Sequence, residues 1–260
     1  MIDLCFFGDS VSFGMGDETG GGWVQRLIAR EAGHRDRFRA FPLSVPGEQV
    51  SDLSGRIRWE AECRMDLRPE RSGLDGAIGL GSIRMTKPQS RGAIILQIGH
   101  GDLVESELEG LGANLPNALT SAERLIREIQ DLWPVLWIGP TIPAREAGVV
   151  AWPRQVSRPA FRGKVRADCV KALNRAYAGL AARMDVDYLD LASVLAADPR
   201  WDPALYLGDG IHPGGDGHQA IAEAVAAWVP WRTLIDGHPP AQDGPKNQFT
   251  PLKAVGAALG

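Results

Sequence analysis

A chain of 260 residues with 44% hydrophobic and 23% charged residues is long enough to bury a sizeable core in one domain. Its formal net charge of −4 does not indicate a nucleic-acid-binding surface. The three cysteines, Cys5, Cys63 and Cys169, are scattered along the chain, which argues against a disulfide framework or a CxxC metal site.

Two features of the sequence bear on the cellular location of the protein. The chain begins with an apolar run that the predicted fold needs as a strand, so we expect no cleavable signal peptide. No apolar run approaches the length that a bilayer-spanning helix requires. We therefore expect a cytoplasmic protein with no membrane span and no nucleic-acid partner.

Short apolar runs alternate with segments of helical periodicity. The runs are typical of buried parallel strands and occupy residues 2–7, 38–43, 93–98, 135–138 and 186–189. Helical spacing predicts helices from residue 23 onward and over 51–67, 117–133, 164–184 and 217–228. Strands that alternate with helices in this way imply parallel strands joined by right-handed crossovers. We therefore predict an α/β fold, a three-layer α/β/α sandwich.

Two internal segments have no regular pattern. Glycines interrupt the apolar residues of 71–89, which predicts an extended loop or small insertion beside the site. Residues 141–159 contain Pro143, Pro153 and Pro159 and cannot be a regular helix throughout. Because this second segment follows a strand, we interpret it as a substrate-binding lip, with Trp152 as a candidate contact. Trp201, in a predicted loop, is a second aromatic of the same kind.

The composition changes after residue 230. A linker-like stretch rich in proline and polar residues leads to a short apolar end. The sequence therefore predicts a domain over residues 1–230 and a tail over 231–260. The tail could fold back on the core or on a second subunit, which makes a homo-oligomer one hypothesis.

Ser10 follows the first strand at a sharp, glycine-rich bend. The carboxyl ends of parallel strands are where ligands collect, so a hydroxyl at this bend faces substrate. Ser10 is therefore a candidate nucleophile. The same residue could also serve only as a helix cap or as a partner for turn amides.

Asp209 and His212 stand three residues apart in a glycine-rich turn before the last helix. A serine hydroxyl is a weak nucleophile unless a base accepts its proton, and the base works best when a carboxylate holds its other ring nitrogen. The spacing lets Asp209 reach His212, so the two could form a preassembled acid and base for Ser10. The alternative is a solvated loop with a capping Asp and a surface His.

Together, Gly8-Asp9-Ser10 and Asp209-x-x-His212 resemble the first and last motifs of the SGNH, or GDSL, hydrolase family. Val45-Pro46-Gly47-Glu48 looks like the family's glycine motif. The resemblance covers most of residues 2–229. It implies a flavodoxin-like strand order, catalytic Ser10, Asp209 and His212, and an oxyanion hole that includes the backbone amides of Ser10 and Gly47.

One motif departs from the family pattern. The third strand should lead into Gly-x-Asn-Asp, but the chain reads Gly99-His100-Gly101-Asp102. The resemblance therefore implies that Gly101 replaces an asparagine that donates to the oxyanion. His100 is a candidate replacement, since its ring can donate a hydrogen bond; the alternative is that it packs under the loop. Asp102 is expected to brace the turn. His218, on the last predicted helix, is expected to be solvated.

The resemblance implies a carboxylic ester hydrolase that needs no cofactor or metal and acts on a small-molecule ester. The alternative is a catalytically impaired binding module that lacks the oxyanion-hole asparagine. A flavin- or nucleotide-binding domain of similar architecture would explain neither Ser10 nor the Asp209 and His212 pair. A metal-dependent hydrolase would need a ligand cluster that the sequence does not contain in recognisable form.

Overall fold

A computed structural model of the chain describes residues 2–34, 37–65, 92–106, 114–144, 147–152, 161–206 and 208–236. The strands in these ranges are β1 (Ile2–Gly8), β2 (Phe38–Pro42), β3 (Gly92–Gln97), β4 (Glu105–Ser106), β5 (Val135–Ile138), β6 (Ala147–Trp152), β7 (Phe161–Arg166) and β8 (Asp187–Leu189). The helices are α1 (Ser10–Phe13), α2 (Gly22–Arg30), α3 (Val50–Ser54), α4 (Ile57–Arg64), α5 (Leu115–Gln130), α6 (Ala167–Met184), α7 (Leu191–Leu195), α8 (Trp201–Tyr206), α9 (Gly215–Ala227) and α10 (Val229–Asp236).

The central sheet has five strands in the order β2-β1-β3-β5-β8. All four neighbouring pairs are parallel. When only these five strands are numbered along the chain, their order is 2-1-3-4-5, the order of flavodoxin-like folds. The predicted α/β fold and strand order are therefore confirmed.

Alternating side chains of the strands feed two separate cores. Cys5 and Phe7 of β1 are buried in a cluster with residues of α3, α4, α5 and α6. Leu4 and Phe6 are buried on the other face with residues of α2, α9 and α10. Because successive side chains of a strand point to opposite faces, one apolar run supplies both cores. Helices thus cover both faces of the sheet, which gives the three predicted layers.

The strand register brings the carboxyl ends of three strands to one edge of the sheet. Gly8 of β1 pairs with Gln97 of β3, and Gln97 pairs with Ile138 of β5. The segments that follow these three residues therefore leave the sheet side by side at its carboxyl edge. This is where ligands bind in open α/β folds.

A small antiparallel sheet, in the order β4-β7-β6, lies outside the central one. It corrects two predictions: residues 147–152 are strand rather than loop, and residues 164–166 are strand rather than the start of α6. The cause is a local period of two. Gly163 and Val165 are buried, whereas Lys164 and Arg166 are exposed, a pattern that suits a strand with one covered face.

The remaining differences are at predicted boundaries. The helix predicted over 51–67 is two helices that break at Gly55 and Arg56. The predicted loop over 71–89 lies outside the described residues. Helix α10 crosses residue 230, and its Trp231 and Ile235 are buried in the core. The division of the chain at 230 stays a prediction, and residues 237–260 lie outside the described ranges.

Candidate active site

Ser10 is the first residue of α1, directly after the strand-to-helix bend. Asp9 is the N-cap of this helix, and its Oδ1 accepts the N–H of Val11 at 3.1 Å. The bend needs a glycine before it, because a Cβ on Gly8 would lie 2.2 Å from the Gln97 carbonyl oxygen. Ser10 is 8% exposed. The short helix thus holds the Ser10 hydroxyl at the carboxyl edge of β1.

His212 and Asp209 lie next to Ser10, although 202 positions of sequence separate Ser10 from the His. His212 Nε2 is 2.7 Å from Ser10 Oγ. On the other side of the ring, His212 Nδ1 is 2.5 Å from Asp209 Oδ2. These contacts form a continuous hydrogen-bonded chain from a carboxylate through an imidazole to a hydroxyl, which is the arrangement that activates a serine.

The Asp209 carboxylate is held in a fixed orientation. Its Oδ1 accepts the N–H groups of Ile211 and His212, both at 2.9 Å. Burial alone would raise the pKa of Asp209, but the hydrogen bonds from the ring and backbone of His212 outweigh burial and hold this pKa below its ordinary value. Asp209 therefore stays ionised and keeps a proton on Nδ1, which leaves Nε2 free to accept the proton of Ser10.

The two predicted oxyanion donors are available. The structure gives the N–H of Ser10 and the N–H of Gly47 no hydrogen-bond acceptor within the described part of the chain. Gly47 has a φ of 76°, a conformation that glycine adopts without strain. Its turn is anchored by the next residue, because the buried Glu48 carboxylate binds Arg56 through two contacts of 2.6 Å.

Gly101 packs directly against this turn. A Cβ at position 101 would lie 2.4 Å from the Glu48 carbonyl oxygen and 3.2 Å from that of Gly47. The backbone of the Gly47–Glu48 turn thus occupies the space that a side chain at 101 would need. That Gly101 stands in place of the family's asparagine stays a prediction from the resemblance.

The His100 ring contacts Asp9 and Thr141. Its Nε2 is 2.7 Å from the Thr141 carbonyl oxygen, and its Nδ1 is 3.3 Å from Asp9 Oδ2. The residue is 4% exposed. Both ring nitrogens already have partners, which favours the alternative that His100 packs under the loop. That His100 donates to the oxyanion stays a prediction.

Asp102 braces the turn as expected. The N–H of Val50, the first residue of α3, donates to both of its carboxylate oxygens, at 3.3 and 3.2 Å. Burial raises the pKa of Asp102 from 3.8 to about 7, in spite of this hydrogen bond. The contact joins the β3 loop to the segment that carries Gly47.

Asp102→Asn is expected to weaken the dependence of stability on pH. Because the pKa of Asp102 is higher in the folded chain than its ordinary value of 3.8, the folded state binds more protons between about pH 4 and about pH 7, and stability falls as the pH rises through that window. Removing this titration should reduce the fall by at most about 4 kcal/mol. Urea unfolding at both ends of the window measures it, and parallel losses in the two proteins would contradict it.

Three other predicted residues have different outcomes. His218 was expected to be solvated, but it is completely buried: the N–H of Trp23 donates to its Nδ1, and its Nε2 lies 2.9 Å from the Met15 carbonyl oxygen. Trp201 is buried in the core within α8, so it is not a substrate contact. Trp152 is the last residue of β6. The side chain of Trp152 lies outside the described residues, and its role in binding substrate stays a prediction.

Asp9 and Thr141 also contact the site, although the sequence did not predict a role for either. Asp9 contacts both the backbone and the ring of His100. The signal was present: the predicted neighbouring strands β1 and β3 both end at this edge, which brings Asp9 and His100 close together. Thr141 contacts the ring mainly through its carbonyl oxygen, at 2.7 Å from His100 Nε2, with its hydroxyl at 3.4 Å from the same nitrogen. A backbone carbonyl leaves no side-chain pattern in the sequence.

The rest of the described chain offers no competing site. No group of three or more His, Cys, Asp or Glu side chains in the described ranges is arranged to hold a metal ion. The helices described are all too short or too polar to cross a membrane. A cavity of about 340 Å³ lies at the opposite edge of the sheet, between the ends of α5 and α6 and the starts of β5 and β8, and contains none of the candidate catalytic residues.

Comparison with known proteins identifies a family. The family model described as GDSL-like Lipase/Acylhydrolase matches residues 6–220. No curated protein gave a sequence match. Among solved structures that share the fold, a lipase/acylhydrolase from Enterococcus faecalis is 16% identical, with 93% of this chain and 100% of the other covered and a TM-score of 0.61. The acetylxylan esterase Axe2 from Geobacillus stearothermophilus is 17% identical, with 90% of this chain and 93% of the other covered and a TM-score of 0.58. A lipolytic G-D-S-L family protein from Veillonella parvula is 15% identical, with 87% of this chain and 97% of the other covered and a TM-score of 0.58.

Proposed function

Because this chain belongs to the GDSL-like lipase/acylhydrolase (SGNH) family of carboxylic ester hydrolases, we propose that it cleaves a small-molecule carboxylic ester through an acyl-Ser10 intermediate. One observation carries the proposal: the hydrogen-bonded chain from Asp209 through His212 to the Ser10 hydroxyl. A merely capping serine would not require a buried imidazole at 2.7 Å with a carboxylate behind it.

Acylation is the first step of the proposed mechanism. Ser10 Oγ attacks the ester carbonyl carbon while His212 Nε2 takes the hydroxyl proton. Asp209 stabilises the imidazolium that forms. The carbon–oxygen bond to the alcohol then breaks, and His212 returns the proton to the leaving alkoxide. The products of this step are the free alcohol and the ester of Ser10.

Deacylation repeats the same proton transfers with water. His212 accepts a proton from water, whose oxygen attacks the acyl carbon, and returns it to Ser10 Oγ as the acid leaves. In both steps negative charge develops on the former carbonyl oxygen. The N–H groups of Ser10 and Gly47 would bind this oxygen, and each such donor contributes on the order of a hundred- to a thousand-fold in rate.

The first experiment is covalent labelling. Wild type, Ser10→Ala and Ser12→Ala are treated with a fluorophosphonate, and intact mass is measured after circular dichroism shows that each is folded. We expect one adduct on wild type and on Ser12→Ala, and none on Ser10→Ala. Ser12 is the matched control, since it is a neighbouring buried serine that donates to Gln97 Oε1 at 2.6 Å and has no His partner.

The alternative function predicts the opposite result. A catalytically impaired binding module of the same fold would give no adduct on folded wild type. If the adduct forms, nitrophenyl esters from acetate to longer acyl chains are the next probes. Acetyl and longer esters come first because the similar structures include an acetylxylan esterase and a lipase/acylhydrolase.

A further inference from the structure

A second Asp–His pair lies beside Ser10 and takes no part in the proposed proton transfers. Asp9 Oδ2 is 3.3 Å from His100 Nδ1 and accepts the backbone N–H of His100 at 3.1 Å. His100 Nε2 is 2.7 Å from the Thr141 carbonyl oxygen. The pair therefore joins the ends of β1, β3 and β5 immediately beneath the Ser10 turn.

The partners of the ring determine where its protons lie. The Thr141 carbonyl oxygen, at 2.7 Å, can only accept, so His100 Nε2 carries a proton to bond to it; the Thr141 hydroxyl, at 3.4 Å, is the more distant contact of this nitrogen. In a neutral ring, Nδ1 would then point its lone pair at the Asp9 carboxylate. A proton on Nδ1 turns this repulsion into a charge-assisted hydrogen bond. Asp9 is 1% and His100 4% exposed, so solvent screens the interaction little.

We propose that His100 is a positioning residue, held as an imidazolium by Asp9, which fixes the Ser10 turn and cancels the Asp9 charge next to the oxyanion site. Asp9 immediately precedes Ser10, so an uncompensated carboxylate there would oppose the negative charge that develops during acylation. The inference rests on the proposed function for its kinetic consequence, but the charge state and the ordering of the turn do not depend on activity.

The surrounding groups agree with this assignment. Burial opposes charge on both residues, but their mutual attraction and hydrogen bond outweigh it, so the pKa of Asp9 is lowered and that of His100 is raised. The other titratable groups that interact with Asp9 are Asp102 and Tyr177. One is a carboxyl and the other a phenol whose pKa burial raises well above its ordinary value, so neither supplies a positive charge.

The charge state is tested on resting protein, without substrate. Histidine-selective ¹⁵N labelling and long-range ¹H–¹⁵N spectra are recorded between about pH 5 and about pH 8, with the His100 signals assigned by their loss in His100→Gln. We expect both ring nitrogens of His100 to stay protonated. His218 is the internal reference, since its Nδ1 accepts the Trp23 N–H and its ring must be neutral. An unprotonated Nδ1 on His100 at about pH 7 would overturn the proposal.

The positioning role is tested with matched variants. His100→Gln keeps a donor for Thr141 but removes the charge. We expect kcat to fall roughly 10- to 100-fold with KM changed less than about threefold, because a displaced nucleophile affects the chemical step more than binding. Hydrogen exchange of the Val11 amide, which binds Asp9 Oδ1, should accelerate in the same variant. His218→Gln removes an equally buried ring and should leave the Val11 exchange rate, kcat and KM unchanged.

A double variant separates charge from shape. Asp9→Asn in the His100→Gln background makes the pair neutral, so it should recover part of the lost kcat. No recovery, together with unchanged Val11 exchange in His100→Gln, would refute the positioning role. If wild type hydrolyses no ester, the spectra and the Val11 exchange still decide the inference, whereas the fluorophosphonate experiment separately decides the proposed function.

Discussion

Replacing His212 with alanine is expected to lower kcat/KM for ester hydrolysis roughly ten-thousand- to million-fold, the range that removal of a serine hydrolase base causes. In the proposed mechanism the Ser10 hydroxyl loses its proton to His212 Nε2, which lies 2.7 Å from Ser10 Oγ, and the variant removes this base. Initial rates with a nitrophenyl ester measure the effect, with thermal unfolding as the folding control. Activity within tenfold of wild type would refute the role of His212.

Asp209→Asn should approach the same loss by a different cause. An amide nitrogen in place of Asp209 Oδ2 would donate to His212 Nδ1 and so force the proton onto Nε2, where it faces Ser10. The double variant Asp209→Asn, His212→Ala should have a kcat/KM no lower than that of His212→Ala alone, because the two residues act as a unit. Asp190→Asn is the matched control: Asp190 caps α7 at the same sheet edge by accepting the N–H of Ser193, and in the described part of the chain it has no hydrogen bond to a His.

The candidate catalytic residues could be predicted because their signals are local and chemical. Each of Ser10, Gly47 and His212 follows a recognisable motif, and the parallel strands predicted from apolar runs bring such motifs to one edge. The five central strands could be predicted equally well from their apolar runs; β3, for example, is buried throughout. A continuous apolar run of this length is typical of a central parallel strand that is covered on both faces.

What the sequence did not reveal depends on partners distant in the chain. His218 looked solvated on a helix, but its ring is buried because Trp23 of α2 and the Met15 loop pack over it. His100 looked free to donate until Asp9 and Thr141, from two other strand ends, occupied both nitrogens. Residues 164–166 were predicted as helix because they adjoin α6, whereas their alternation of covered and exposed residues belongs to β7, which pairs with β6.

Gly101→Asn is expected to lower ester hydrolysis by about a hundredfold, although the resemblance to the family would suggest that asparagine restores a donor. A Cβ at this position lies 2.4 Å from the Glu48 carbonyl oxygen and 2.9 Å from its carbon. Glu48 cannot yield easily, because it is buried and bound twice by Arg56, whose guanidinium lies over the Phe7 ring. The turn that presents the Gly47 N–H must therefore shift, at a cost of roughly 1–3 kcal/mol in the free energy of unfolding.

Gly101→Ala separates the steric effect from the amide. If the contact with Glu48 dominates, alanine and asparagine at 101 both lose activity and stability, with urea unfolding and kcat measured for each. If the amide instead reaches the oxyanion, asparagine alone keeps or gains activity, and the close packing at 101 is then not what limits the site. Gly33→Asn is the control, since a Cβ on Gly33 would meet no atom within 4 Å and the variant should match wild type in both measurements.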